Sequence, residues 1–244
     1  MNGRTLCLAL GLGLSGCGVF AGTSTDRSDV MRRILPSTVQ LRAEREGGTR
    51  RAASGVVLAN DRRTNRCWIL TTRHFLDPAV QQEVSVSTPT RKGRAKAIVK
   101  AVSQEMDLAV IEADGINLPP VKFKEIVRLG DVVWVAGFPW GRQLTVVSGV
   151  VSQLKNEDGD FTFEGTIRMV DASVSYGSSG GGVFDGETGG LLGIVEGYRT
   201  AQMALPDRPE RTLQLPVAGE TLVIPARSIL DFLGASGLGD LATR

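Results

Sequence analysis

The sequence has little net charge. Its 28 Lys and Arg residues against 26 Asp and Glu residues leave a formal net charge of +2, too weak a basic field to attract a polyanion. We therefore expect no binding to nucleic acid. A membrane-spanning apolar run is also lacking near the N-terminus, because the run Leu6–Leu14 is about half as long as the roughly 20 residues of a transmembrane helix. A retained transmembrane anchor is not expected.

The first 16 residues have the pattern of a secretory signal peptide, with Arg4 before the apolar run and small residues after it. The string Leu14-Ser15-Gly16-Cys17 resembles the bacterial lipobox, in which cleavage leaves the cysteine to receive a lipid. We expect an exported protein anchored to the membrane through Cys17. Gly18 follows it instead of aspartate, which favours the periplasmic face of the outer membrane. The alternative is an ordinary signal peptide cleaved near Ala21, with Cys17 discarded.

Cysteine and histidine are scarce in the remaining chain. Cys7 leaves with the signal peptide and Cys17 carries the lipid, so the folded part keeps Cys67 and forms no internal disulfide. A domain of about 200 residues can be stabilised by its core alone. His74 is the single histidine, and one histidine with one free cysteine cannot form a zinc site unaided. We expect no metal and no cofactor.

The composition favours an all-β fold. Hydrophobic residues make up 42% and charged residues 22% of the chain, as in folded globular proteins. Glycine is abundant, with 30 of 244 residues, and favours tight turns over long helices. Short runs rich in Val, Ile and Thr predict about six strands on each side of Pro119-Pro120: Thr38–Leu41, Ser54–Ala59, Trp68–Thr72, Val84–Ser87, Ala95–Val102 and Leu108–Ala113, then Val132–Phe138, Leu144–Leu154, Thr162–Val170, Gly182–Asp185, Leu191–Gly197 and Thr221–Ile224.

This spacing predicts two six-stranded antiparallel β-barrels. After Pro225 the apolar residues of Ala226–Leu233 have helical spacing, which predicts one C-terminal helix. The stretch Arg199–Glu220 is too long for a tight turn and is interpreted as a loop over the cleft. The predicted organisation is a signal peptide over 1–16, a tether over 17–33, an N-terminal barrel over 34–119, a C-terminal barrel with its helix over 120–234 and a tail over 235–244.

A serine among glycines is the strongest local signal for chemistry. Ser179 stands in the string Gly177-Ser178-Ser179-Gly180-Gly181. Glycine permits a close approach of the backbone, so N–H groups in such a turn can converge on a developing oxyanion. Taken alone, the string is more often a plain Ser/Gly loop. The interpretation therefore depends on a base and an acid elsewhere in the chain.

His74 and Asp107 are the candidates for that base and acid. His74 ends an apolar run as Thr71-Thr72-Arg73-His74, which resembles the Thr-x-x-His signature of trypsin-like proteases. Asp107 opens the run Asp107-Leu108-Ala109-Val110-Ile111, which resembles the strand on which that family carries its aspartate. A lone histidine is usually structural, and an aspartate before a strand is often only a turn residue. The position of each, not its scarcity, supports the functional interpretation.

His74, Asp107 and Ser179 follow the order His, Asp, Ser. Chymotrypsin-type proteases have this order, whereas subtilisins and α/β-hydrolases arrange the same roles differently. The chain thus resembles a trypsin-like serine protease, and further strings resemble the HtrA/Deg branch over roughly residues 36–234. These strings are Gly137-Phe138-Pro139-Trp140-Gly141, Thr145–Ser152, Ser54–Leu58, Asp171–Ser173 and Leu192–Ile194.

The resemblance implies a role for each site residue. Ser179 would attack a peptide carbonyl, His74 would move the proton, and Asp107 would orient the imidazole. The N–H groups of Gly177 and Ser179 would form the oxyanion hole. Ser173 would form the base of the substrate pocket, with Glu196-Gly197-Tyr198 as its wall. The neutral base favours cleavage after small or medium apolar residues, although a carboxylate of Glu196 facing the pocket would change that preference.

The sequence also departs from the family pattern. Ser178 replaces the usual asparagine or aspartate before the nucleophile and cannot form the ion pair of a zymogen, so activation by pro-segment removal is not expected. We expect no PDZ domain after residue 234. The expected partners are a protein or peptide substrate and the membrane, while the oligomeric state is left open. The alternatives are a catalytically silent or latent protease-like lipoprotein that binds peptides at the envelope, and an adaptor without peptidase ancestry.

Overall fold

A computed structural model describes residues 26–45, 48, 50–77, 82–89, 91–155, 162–205 and 208–243. Its first half is a closed antiparallel barrel of six strands in the order β1-β2-β3-β6-β5-β4. The strands are β1 (Thr38–Arg45), β2 (Arg50–Asp61), β3 (Arg66–Thr71), β4 (Gln82–Thr88), β5 (Arg91–Val102) and β6 (Ala109–Asp114).

The second half is a barrel in the order β13-β12-β11-β8-β9-β10, which the pairing of β13 with β10 closes. A short strand, β7, pairs with β10 outside this ring. The predicted fold class of two six-stranded antiparallel barrels is thus confirmed. The strands are β7 (Val127–Arg128), β8 (Val132–Gly137), β9 (Thr145–Lys155), β10 (Glu164–Asp171), β11 (Gly182–Asp185), β12 (Leu191–Leu205) and β13 (Arg208–Pro225).

Strand β2 contributes to two hydrophobic cores. Its residues 53–59 are all buried, because successive side chains point to opposite faces of a strand and both faces are covered here. Val57 packs inside the first barrel. Val56 and Leu58 pack on the other face, in a cluster that includes Ala136 and Phe184 of the second barrel. This shared cluster fixes one barrel against the other, and β2 therefore lies at the interface where the candidate site is found.

Two helices flank the barrels. The predicted C-terminal helix is present as α2 (Ala226–Ala235), which buries Ile229, Phe232 and Leu233. A helix not expected from the sequence, α1 (Arg27–Ile34), occupies the end of the segment that we had interpreted as a tether. The side chain of Asp26 accepts a hydrogen bond from the N–H of Ser28 and so caps the N-terminus of α1. Val30 and Ile34, four residues apart, are both buried, so this part of the segment belongs to the fold.

The stretch Arg199–Glu220 is not the loop that the sequence suggested. Strands β12 and β13 continue their antiparallel pairing through it, with cross-strand partners Ala201↔Leu215 and Met203↔Leu213. The two strands therefore form a β-ribbon over this stretch. Met203 is 48% and Leu213 45% exposed.

The predicted signal peptide and Cys17 lie outside the described residues, as do residues 17–25 of the predicted tether. Within the described part of the chain, no helix is both long and apolar enough to cross a bilayer. Cys67 is the free, buried cysteine of this part, and its burial raises the pKa of the thiol.

Candidate active site

Three loops bring His74, Asp107 and Ser179 to the interface of the two barrels. His74 lies in a 3-10 turn, Arg73–Phe75, that directly follows β3. Asp107 lies between β5 and β6, and Ser179 precedes β11. The backbone N–H of Ser54, on β2, donates to the carbonyl of Ser179 over 2.9 Å. Because β2 pairs with β3, this bond holds the Ser179 loop near the strand that leads to His74.

His74 and Asp107 form a two-point contact. Nδ1 of His74 lies 2.6 Å from Oδ2 of Asp107, and the backbone N–H of His74 donates to Oδ1 over 2.7 Å. An ionised carboxylate only accepts hydrogen bonds, so Nδ1 carries the proton in this contact. That tautomer leaves Nε2 with a lone pair. The imidazole is 48% exposed and the carboxylate 18%, so the base is reachable while the acid is largely shielded.

The pKa of Asp107 is lowered despite burial. Desolvation pushes the pKa up, but the hydrogen bonds from the His74 side chain and backbone, together with the charge of Arg73, hold it below its usual value. Asp107 is therefore ionised throughout the neutral range. A permanent negative charge therefore lies beside the imidazole of His74.

Two arginines that the sequence analysis did not single out hold the loops around His74. Nη1 of Arg73 donates to the carbonyls of Ser103 (2.9 Å) and Gln104 (3.0 Å), in the loop that carries Asp107. Nη1 of Arg51 donates to the carbonyls of His74 (2.9 Å) and Asp77 (2.6 Å). No local pattern marks them, because their acceptors are backbone carbonyls distant in sequence.

The chain before Ser179 forms a type II turn. Ser178 N–H donates to the Ser175 carbonyl over 3.0 Å, and Gly177, the third residue of the turn, has φ +89°. A Cβ at Gly177 would lie 2.8 Å from the backbone nitrogen of Trp140, so glycine is required for both conformation and space. Within the described part of the chain, the N–H groups of Gly177 and Ser179 have no hydrogen-bond acceptor. Both are available to a bound oxyanion.

The residues expected to form one substrate pocket are divided between two cavities. Ser173 lines a cavity of about 300 Å³ with Pro139 and Ser178. Glu196 lines a separate cavity of about 260 Å³ with Asp107 and Arg168. Glu196 therefore lines a different cavity from Ser173, the expected base. The cause is a β-bulge: the register of β12 with β13 shifts between Val195 and Gly197, and the extra residue of a bulge is turned from the regular strand.

Glu196 thus lies near the candidate acid–base pair. Burial raises the pKa of its carboxyl group, and the negative charge of Asp107 raises it further, against the opposing charges of His74 and Arg168. Gly197 and Tyr198, the other expected wall residues, continue the pairing of β12 with Leu222 and Thr221 of β13. The sequence predicts Glu196 in the wall of the substrate pocket but carries no signal for the direction of its side chain.

The two barrels define a chymotrypsin-like fold. Residues 53–194 match the family model of the trypsin-like peptidase domain. The chain belongs to this family.

Its relatives include bacterial HtrA and Deg proteins. It is 32% identical over 157 residues to a probable periplasmic serine protease, do/HhoA-like, of Haemophilus influenzae, covering 63% of this chain and 32% of that protein. It is 28% identical over 170 residues to the serine endoprotease DegS of Salmonella typhimurium, covering 68% and 44%. The chain therefore spans less than half the length of these relatives.

Solved structures show the same fold. The HtrA-type protease AlgW with a tripeptide aligns with a TM-score of 0.64 at 24% identity, over 88% of this chain and 64% of that one. The active form of the Rv3671c protease from M. tuberculosis aligns with a TM-score of 0.63 at 22% identity, over 85% and 84%.

Proposed function

We propose that this protein is a serine endopeptidase in which Ser179, His74 and Asp107 form the catalytic triad. The observation that carries the proposal is the contact between Nδ1 of His74 and Asp107 over 2.6 Å. This contact leaves Nε2 of His74 as the base that accepts the proton of the Ser179 hydroxyl. The hydroxyl oxygen then attacks the peptide carbonyl, and His74 returns the proton to the leaving amine.

The turn around Gly177 supports the second half of this mechanism. In this type II turn the N–H of Gly177 points away from the carbonyl of Tyr176, with which it shares a trans peptide. The N–H of Ser179 lies two residues further along the chain. Together they would stabilise the negative charge on the carbonyl oxygen, at about 3 kcal/mol per donor. A catalytically silent binding protein would not need these two N–H groups to be free of internal acceptors.

We further propose cleavage after small or medium apolar residues. Ser173 is uncharged, and Glu196, the carboxylate that complicated this prediction, lines a different cavity. A peptide library with the scissile position varied tests the preference. Strict cleavage after Arg or Lys would refute it.

We also propose that the substrates are envelope or secreted proteins, met by an exported, lipid-anchored enzyme. The lipobox-like string before Cys17 and the periplasmic relative support export. Labelling of whole cells with a fatty-acid probe tests the anchor. The parent chain should be labelled and found in the membrane fraction, while Cys17→Ala should lose the label. A labelled Cys17→Ala protein would refute the site.

The catalytic proposal is tested by intact-mass analysis of the mature protein after exposure to a fluorophosphonate. The expected result is one adduct, absent in Ser179→Ala. Ser152→Ala, at an exposed position of β9, is the matched control and should be labelled like the parent. A folded parent protein that forms no adduct and cleaves no peptide would favour the silent, peptide-binding alternative.

A further inference from the structure

The side chain of Ser54 is a fully buried hydroxyl at the interface of the two barrels. Ser54 lies on β2 and has no exposed surface. Its Oγ accepts a hydrogen bond from the N–H of Phe138 over 2.8 Å and donates one to the carbonyl of Gly177 over 2.8 Å. A single hydroxyl therefore connects the first barrel, the loop after β8 and the turn before Ser179.

The backbone of Ser54 adds two more bonds. Its N–H donates to the carbonyl of Ser179 over 2.9 Å, and its carbonyl accepts from Oγ1 of Thr71 over 2.8 Å. Thr71 is the last residue of β3, three residues before His74. Ser54 is thus bonded to the end of the strand that leads to His74 and, at two points, to the loop of Ser179.

The bonds from Ser54 act on the peptide units next to those that present the free N–H groups. The carbonyl of Gly177 belongs to the peptide between the two donor peptides, and the carbonyl of Ser179 belongs to the next one. The donor peptide of Gly177 is held by a third bond, from the N–H of Trp140 to the carbonyl of Tyr176 over 2.6 Å. Because C=O and N–H of a trans peptide point in opposite directions, this bond directs the N–H of Gly177 away from Trp140.

Trp140 and Ser54 hold the turn through the same loop. Trp140 has a left-handed backbone with φ 57°, which a residue other than glycine adopts at a cost. The neighbouring Phe138 is the donor to Ser54. A Cβ at Gly137 would lie 2.9 Å from Oγ of Ser54, so the hydroxyl fills the available space. The turn before Ser179 is therefore fixed from both sides by groups outside the proposed triad.

We propose that Ser54 is a positioning residue for the oxyanion hole: its hydroxyl locks the Gly177–Ser178 peptide and thereby holds the N–H groups of Gly177 and Ser179 in register with His74. This inference rests on the proposed peptidase function. Removing the hydroxyl leaves the Phe138 N–H and the Gly177 carbonyl buried without a partner. A turn that rotates its peptides to find a new partner for the Gly177 carbonyl turns the donors away from the oxyanion.

The test compares Ser54→Ala with Ser37→Ala in the mature protein. Ser37 is also buried, and its hydroxyl donates to the carbonyl of Arg33 over 3.4 Å, far in the chain from the site. We expect Ser54→Ala to lower kcat by about tenfold to a hundredfold, less than the roughly hundredfold to thousandfold found for losing one oxyanion donor outright, with KM within about twofold of the parent. Ser37→Ala should keep the parent kcat at a similar melting temperature.

Affinity for a peptide boronic acid, which forms a tetrahedral adduct with the serine, separates positioning from a loss of stability. Ser54→Ala should lose boronate affinity in proportion to kcat, while its affinity for a product peptide stays unchanged. Ser54→Cys, which keeps a weak donor, should recover part of kcat, and it replaces the alanine variant if that one does not fold. Parent-like kcat and boronate affinity in Ser54→Ala would overturn the inference and leave the proposed function intact.

An amide NMR spectrum keeps the inference testable if the parent protein proves inert. In that case the proposed function fails, yet Ser54→Ala should still shift the amide resonances of Gly177 and Ser179 more than Ser37→Ala does. Unchanged resonances for these two amides would refute the positioning role of Ser54, whatever the activity of the parent.

Discussion

His74 and Asp107 are held in the first barrel by side chains, whereas the turn before Ser179 is held in the second barrel by backbone groups. Around His74 the bonds come from a carboxylate and from the guanidinium groups of Arg73 and Arg51. Around Gly177 most of the bonds join peptide units, and among the described residues the hydroxyls of Ser54 and Ser178 are the side chains that take part.

The difference agrees with what the proposed mechanism requires of each part. In that mechanism the pair of His74 and Asp107 changes charge during a reaction, so charged groups nearby can adjust its protonation. An oxyanion hole has to present fixed dipoles, and its contribution depends on directions that are set before the substrate arrives. The contacts around His74 and Asp107 should therefore be sensitive to charge and pH. The turn before Ser179 should be sensitive to side-chain size and backbone conformation.

The largest effect within this comparison is expected for Asp107→Asn. The amide can donate to Nδ1 and so favours the wrong imidazole tautomer, and kcat should fall by about 10⁴-fold. Steady-state kinetics on a peptide substrate measure it. Asp61→Asn is the control, since the hydrogen bonds of Asp61 to Arg63 and Thr64 lie within its own turn. A loss of less than about tenfold in Asp107→Asn would remove Asp107 from the triad.

Gly177→Ala should produce the next largest loss, about a hundredfold in kcat. The new Cβ would meet the nitrogen of Trp140 at 2.8 Å in a residue with φ +89°, so the turn must move. Gly130→Ala is the matched control, because Gly130 has φ +83° and open space around its Cβ position. Both variants put a Cβ on a residue with positive φ, so this backbone strain should lower the stability of both by a similar amount, measured by thermal unfolding. Equal kcat in the two would show that the turn does not form the oxyanion hole.

Arg73→Met removes the hydrogen bonds of Arg73 to the loop that carries Asp107. It should lower kcat by about tenfold, since small displacements of a catalytic group are costly. KM should change little, and Arg73→Lys should recover part of the rate. Arg32→Met, which removes an exposed ion pair of α1, is the control. The pH dependence of kcat/KM distinguishes a positioning role, because it should move in Arg73→Met and stay in place in Arg32→Met. If Arg73→Met kept both the kcat and the pH dependence of the parent, Arg73 would have no positioning role.

Glu196→Gln should have the smallest effect on rate and a visible one on pH dependence. The charge of Glu196 interacts with that of His74, so its removal should move the acidic limb of kcat/KM to lower pH. An acidic limb that stays in place would place Glu196 outside the field of His74.

The stability of the Glu196 variant should change in a defined pH window. Folding raises the pKa of Glu196, so the native state binds the proton more tightly, and stability falls as pH rises from the unfolded pKa through the folded one. Glu196→Gln should therefore be more stable than the parent at neutral pH and equal to it below the unfolded pKa. Denaturant unfolding at both pH values measures this difference.

Much of the architecture could be predicted because it is written in local patterns. Runs of Val, Ile and Thr between glycines predicted the strands of both barrels, and Pro225 before an apolar period predicted α2. Helix α1 was missed because its mean hydropathy is low and only Val30 and Ile34 face the core. The ribbon of β12 and β13 was taken for a loop, since its prolines and charges resemble those of an irregular segment.

The sequence by itself determined which residues are available for chemistry: one histidine after an apolar strand, an aspartate before another, and a serine among glycines. The tertiary structure alone decided how they are held. The bond from Ser54 to Gly177 joins residues 123 positions apart, and the direction of Glu196 depends on a bulge in the pairing of β12 with β13. Such contacts depend on strand register and barrel packing, which arise from the whole chain and leave no mark on any local pattern.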